Sequence, residues 1–231
     1  MASEVDICNI ALGRLGDGAN IQSISPPDGS AQAEHCQRFY PVARDSLLEM
    51  HTWGFCTKRV ALAALASNPA SGWAFCYAQP VDLLNTISVL DPNAQDDLSV
   101  GIAYPSQWNE VPLTNGGVYT PQPFQLESAI DGTDILLTNQ GNAVLRYTAR
   151  VADTTKFSPL FIDCLTWSLA SMLAGPVIKG DAGMSMAAKC QMIAFGQSGK
   201  SGRFGIAAAS DAGQRKTNVR DKQQVTWLNA R

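Results

Sequence analysis

The chain has 231 residues, of which 45% are hydrophobic and 16% charged, with a formal net charge of −3. That is enough for one large domain or two small ones with a buried core, and it excludes a wholly disordered chain. The charge is unevenly spread. Residues 200–231 hold seven basic and two acidic side chains, a local +5, which leaves −8 on the rest; an acidic body with a basic tail argues against wrapping DNA and for a tail that docks on another, acidic surface.

In chain order, Ser3-Glu4-Val5-Asp6 reads as a capping-box start, and Val5, Cys8, Leu12 and Leu15 form one apolar stripe that Gly16 and Gly18 end. The turn Pro26-Pro27-Asp28-Gly29-Ser30 leads to a second helix with Cys36, Phe39, Ala43, Leu47 and Met50 at helical spacing, and Pro41 predicts a kink or break inside it. An apolar run from Trp53 to Leu65 closes at Asn68-Pro69-Ala70-Ser71-Gly72. Short strands are then predicted over Trp73–Ala78, Leu83–Leu90, Phe124–Ile130, Asp134–Thr138 and Ala143–Val151. In the last of these, Val144, Arg146, Thr148 and Arg150 are expected to face water, and Leu145, Tyr147, Ala149 and Val151 the core. Helical spacing returns after the N-cap Ser158 and Pro159, through Phe161, Leu165, Leu169, Met172 and Leu173 to Gly175-Pro176, and a fourth helix is expected from Asp181 to at least Phe195.

Two helical blocks around a β-rich middle predict an α+β fold: a bundle of N- and C-terminal helices that need one another to bury their stripes, an inserted antiparallel β-rich domain, and an extended C-terminal arm. The boundaries expected are 1–68 and 154–210 for the two halves of the helical domain, 69–153 for the insertion and 211–231 for the arm.

Chemistry-bearing motifs are sparse. The six cysteines lie 20 or more residues apart and neither His35 nor His51 has partners at ligand spacing, so no metal site, cofactor or catalytic group is expected and the thiols read as reduced core residues. Gly199-Lys200-Ser201 lacks the glycine a phosphate loop needs, since Ala194 stands there, and reads as a flexible hinge. Trp53 and Phe55 are expected in the core. Arg44-Asp45 and Lys58-Arg59 are expected to form salt bridges within or between subunits. No stretch reads as about 20 uncharged apolar residues, and the N-terminus lacks a basic signal start, so a soluble protein made in a cytosol, without membrane contact, is expected.

Several segments together carry a resemblance: Ile7-Cys8-Asn9-Ile10-Ala11-Leu12-Gly13-Arg14-Leu15-Gly16; Phe39-Tyr40-Pro41-Val42-Ala43-Arg44-Asp45-Ser46-Leu47-Leu48 with Trp53-Gly54-Phe55-Cys56-Thr57-Lys58-Arg59; Tyr77-Ala78-Gln79-Pro80-Val81-Asp82-Leu83-Leu84; Leu137-Thr138-Asn139 with Leu145-Arg146-Tyr147-Thr148-Ala149; Phe157-Ser158-Pro159-Leu160-Phe161; and Trp227-Leu228-Asn229-Ala230-Arg231. In order and spacing they resemble the head-to-tail adaptor family of short-tailed bacteriophages, the tail tubular protein A-like proteins. Gln79, Val81 and the stretch 91–123 depart from that pattern. The resemblance implies a non-enzymatic virion protein at the head–tail junction, synthesised in the bacterial host cytoplasm. It implies a homododecameric ring whose partners are its own copies, the portal protein, the tail nozzle protein and, in some members, tail fibres, with genomic DNA passing through unread. The arm, through Arg215, Lys216, Arg220, Lys222, Val225, Trp227, Leu228 and Arg231, is expected to dock on the portal. The competing readings are another connector layer, such as a stopper or tail-completion protein, and a nucleic-acid-binding module, whose binding would fall steeply with salt.

Overall fold

The computed structural model describes residues 2–18, 20–66, 72–92, 122–199 and 201–214. The described residues form five α-helices and two small antiparallel sheets, a mixed α+β chain. It divides into two compact units, one of residues 1–55 with 151–231 and one of residues 56–150. The sequence boundaries at 68 and 153 therefore shift to 55 and 150, because the chain begins to pair as a strand immediately after a 3-10 turn at Gly54–Cys56.

The first unit holds α1 (Glu4–Arg14), α2 (Ala31–Met50), α3 (Pro159–Ile178), α4 (Gly180–Phe195) and α5 (Gly202–Gln214). The Ser3 hydroxyl accepts from Asp6 N–H at 3.1 Å and the Asp6 carboxylate accepts from Ser3 N–H at 2.8 Å, which satisfies two orphan donors of α1. Of the kink or break expected at Pro41, the break does not occur: α2 is continuous through it. The proline removes only the hydrogen bond to the Gln37 carbonyl, and Gln37 and Pro41 are both exposed, so water can take that oxygen. α3 is capped by the Ser158 hydroxyl, which accepts from Phe161 N–H at 3.2 Å, and continues past the expected stop at Gly175-Pro176 to Ile178, where Lys179 and Gly180 take positive φ. By length and composition α3 is apolar enough to cross a membrane, which corrects the reading that no such stretch exists. Here it is a core helix. α1, α2, α4 and α5 all pack on it, and Phe161, Leu165, Leu169 and Leu173 are wholly buried.

α4 lies so close to α3 that a Cβ on Gly183 would come within 2.9 Å of the Ala174 carbonyl oxygen. α5 is the helix that sequence reading does not see, and it crosses the boundary placed at 210. It is built largely of alanine and glycine, and Phe204 and Ala207 are its buried residues. Beside the Gly199-Lys200-Ser201 stretch, Gly196 N–H donates to Met192 O at 2.7 Å, Ser201 N–H donates to Phe195 O at 3.0 Å, and a Cβ on Gly202 would stand 2.7 Å from the Ile193 carbonyl oxygen.

The second unit holds β1 (Thr57–Ala61), β2 (Phe75–Ala78), β3 (Leu83–Leu90), β4 (Phe124–Ser128), β5 (Asp134–Thr138) and β6 (Val144–Ala149). They pair as β1-β6-β3 and β2-β5-β4, all antiparallel. Tyr77 and Leu136 of one sheet and Val89, Leu145, Tyr147 and Ala149 of the other share one core. β6 alternates as expected except at Thr148, which is buried with the apolar residues and does not face water. β1 lies in the apolar run from Trp53 to Leu65, inside the span 1–68 expected for the helical domain, yet it is a largely exposed strand in register with β6, Thr57 opposite Thr148 and Ala61 opposite Val144.

Candidate functional site

Of the salt-bridge residues named from sequence, Arg44, Asp45 and Lys58 have ionic partners inside their own units. Arg44 is buried on α2 with its Nε donating to Asp45 Oδ1 at 2.8 Å, its Nη1 4.0 Å from Glu4 Oε1 and its guanidinium 5.8 Å from the Tyr40 ring centre. The pair is packed against a tyrosine that pays no hydrogen bond back: the Tyr40 hydroxyl is buried without a partner, and burial, reinforced by Glu4, pushes it well above the ordinary phenol range. Lys58 on β1 donates to Asp82 Oδ2 at 2.6 Å, and Tyr147, its cross-strand neighbour on β6, donates to Asp82 Oδ1 at 2.9 Å. Burial alone would raise the Asp82 carboxyl; the hydrogen bonds from Lys58 and Tyr147 outweigh it and hold the group below its usual value. Burial and the bond to Asp82 push Tyr147 up to about 12. Arg59 stands opposite Arg146 in the same ladder.

The docking-arm residues Arg215, Lys216, Arg220, Lys222, Val225, Trp227, Leu228 and Arg231 lie outside the described residues, as do Lys200 and most of 91–123.

Sequence reasoning missed two clamps. Arg14 on α1 donates through Nη2 to Asp163 Oδ1 at 2.6 Å and through Nη1 to the Asp163 carbonyl at 3.0 Å, its guanidinium stacks 4.2 Å over Trp167, and Arg203 Nε lies 3.4 Å from the other Asp163 oxygen. α1, α3 and α5 are joined through one carboxylate. The second clamp holds the C-terminal half of α5: Asp211 Oδ2 lies 3.2 Å from His51 Nε2, and its Oδ1 accepts from Gly54 N–H at 2.9 Å. The His51 ring meets Trp53 edge-on at 4.7 Å, and Trp53, 1% exposed, donates to Leu47 O at 2.8 Å and meets Phe161 at 5.0 Å. His51 thus spends its nitrogen and its ring on holding helices. Neither clamp leaves a local pattern, because its members are brought together only by the fold.

All six thiols are free and buried. Hydrogen bonding to Cys36 and burial push the Cys8 thiol up, and burial pushes Cys164 up to about 12, so these groups stay protonated and unreactive at neutral pH. Among the described residues no three His, Cys, Asp or Glu side chains gather as a metal site.

A surface groove of about 630 Å³ lies on the helical unit, lined by Met50, Ala188, Gln191, Met192, Phe195, Gly196, Gln197 and Gly199. On the sheet unit the most exposed aliphatics sit at turns, Val81 after β2 and Ile130 after β4, while Val60 on β1 and Leu126 on β4 are exposed on strands. What these groups supply is ion pairs between elements and apolar surface open to solvent. Compared with known protein families and with curated proteins, the chain matches no family model and no curated protein.

Proposed function

We propose that the chain is a structural virion protein, a head-to-tail adaptor that forms a ring between the portal and the tail nozzle of a short-tailed phage and leaves a channel for the genome. It acts mechanically, through contacts with its own copies, the portal and the nozzle, without a chemical step or cofactor. Its helical unit is read as a bundle of N- and C-terminal helices interrupted by the sheet insertion, with the arm from residue 215 onward reaching the portal. Identical subunits joined head to tail close into such a ring, twelve copies on this reading. An acidic channel wall would repel phosphate and let DNA slide, in keeping with the −8 carried by residues 1–199.

The observation that carries the reading is where the family-like segments fall. Ile7 to Gly16 supplies the core stripe of α1, Tyr40 to Leu48 that of α2, Trp53 to Arg59 the passage from the aromatic core into β1, and Ser158-Pro159 the cap of α3. What supports the reading is the shared order of these short patterns, four of which coincide with a core stripe, a strand entry or a helix cap.

Electron microscopy of the chain mixed with its portal tests this. The expected result is an added ring layer at the channel mouth; a bare portal at saturating concentrations overturns the reading. Cutting the chain before Arg220 is expected to abolish co-sedimentation with portal while leaving the helical circular-dichroism signal in place.

A further inference from the structure

We propose that the groove bounded by Met50, Met192 and Phe195 is the resting site of this chain's own C-terminal segment, residues 215–231, with Trp227 and Leu228 as its anchor. The groove is apolar and open. Met192 is 56% exposed and Met50 44%, and the groove's volume, about 630 Å³, lies in the range of roughly 300–1,000 Å³ that encloses a compact apolar ligand. Methionine thioethers adapt their shape to an aromatic guest and attract it, which suits this wall to an indole. The tail offers that guest: Val225-Thr226-Trp227-Leu228 stands in an otherwise polar, basic segment, where an indole and an isobutyl group gain by leaving water.

The position at which the chain leaves the described structure selects the occupant. α5 ends at Gln214, three residues after Asp211, and Asp211 is bonded to His51 and to Gly54 N–H. His51 follows Met50 directly, so the tail departs beside one wall of the groove. The thirteen residues from Gln214 to Trp227 can span at most about 43–47 Å. A tether of this kind holds its end at millimolar effective concentration, which favours the chain's own anchor over that of a second copy. The exposed Glu49 beside Met50 gives the tail's Arg215, Lys216, Arg220 and Lys222 a carboxylate on that side. In the adaptor reading, and resting on it, the groove keeps the anchor out of water until the portal competes for it.

The test uses the full chain with Met192→Cys and Leu228→Cys. Because the six native thiols are buried, oxidised glutathione joins the two introduced ones, two thiols becoming one disulfide as the oxidant is reduced to two glutathiones. The expected result is an intramolecular cross-link formed at least about tenfold faster than in a control pair of Val81→Cys with Leu228→Cys, and slowed when Met50→Glu is added. Equal rates overturn the assignment, and cross-links that form only between chains, seen on mixing the two single variants, overturn it in favour of a second copy. A second measurement needs no cysteine: the emission of Trp227, taken as the difference between the chain and Trp227→Phe, is expected at shorter wavelength than that of free tryptophan. A water-exposed emission overturns the proposal. None of these steps contains the portal, so failure of the adaptor reading leaves the groove assignment standing, and the reverse.

Discussion

The helical unit and the sheet unit solve the same problem with different means. The helical unit wraps α1, α2, α4 and α5 around one apolar helix, and its charged clamps sit at the edges of that core, Arg14 with Asp163 and His51 with Asp211. The sheet unit has two three-stranded sheets and a shared core of a few side chains, so it draws polar groups inward: the Tyr77 hydroxyl donates to Gln140 O at 2.8 Å and accepts from Ala143 N–H at 3.3 Å, and Tyr147 reaches Asp82. A unit with a central helix can bury area without polar help. A small sandwich uses tyrosines, whose rings fill the core while their hydroxyls tie off backbone groups at its rim.

The largest effect should come from the centre of the helical unit. Trp53→Ala removes an indole packed against His51, Phe161 and Phe204 and leaves the Leu47 carbonyl without its donor, so a loss of about 3–5 kcal/mol is expected. Urea titration reads the loss, and hydrogen exchange should locate it in α2, α3 and α5. In the sheet unit the corresponding change is Leu136→Ala, at the middle of β5 and wholly buried against the other sheet, with about 2–4 kcal/mol expected and the exchange confined to strand amides. If Leu136→Ala costs more than Trp53→Ala, the contrast between the two cores fails.

Next in size is a change that adds rather than removes. Gly183→Ala places a methyl 2.9 Å from the Ala174 carbonyl, backbone against backbone, so neither side can rotate away. An overpacking cost of about 1–3 kcal/mol is expected, seen as a lower urea midpoint. A neutral result would mean that α4 can slide on α3, which would remove the rigid wall from the groove that Met192 and Phe195 line.

The same contrast explains what the sequence disclosed. Features encoded by neighbours were legible: the Ser3 and Ser158 caps, and β3 and β5, which run over the predicted residues from end to end because turn residues bracket alternating or apolar runs. Features that exist only through distant partners were not. β1 is a strand because β6 offers it a ladder, and its own Lys58-Arg59 gives no alternation of burial. α5 is a helix of small residues held by Phe204 and by Asp211, whose partners His51 and Gly54 lie 160 and 157 residues away. Arg44 and Lys58 stand out in the sequence as charges beside apolar stripes, but their partners Glu4 and Asp82 cannot be named from spacing alone.

The smallest effect belongs to the Lys58–Asp82–Tyr147 network of the sheet unit, in which a lowered carboxyl and a raised phenol share one hydrogen bond. Asp82 has a lowered carboxyl value in the folded chain, so its contribution is complete above the ordinary carboxylate range, near pH 4, and fades as pH falls through the folded value. Tyr147 is shifted the other way: raised to about 12, it contributes below the ordinary phenol value of about 10 and loses that contribution as pH rises toward 12. Asp82 is about one-third exposed and its pairing with Lys58 is screened by water, so Asp82→Asn should cost less than about 1 kcal/mol at neutral pH. The more telling readout is the shape of the profile. In wild type, strand-amide protection should weaken at both ends of the pH range; in Asp82→Asn, the acid limb should flatten and the tyrosine absorbance of the alkaline limb should titrate at lower pH, because the carboxylate that opposed ionisation of Tyr147 is gone. An unchanged alkaline titration would mean that burial alone holds the Tyr147 proton, and that the network adds nothing to the stability of the sandwich.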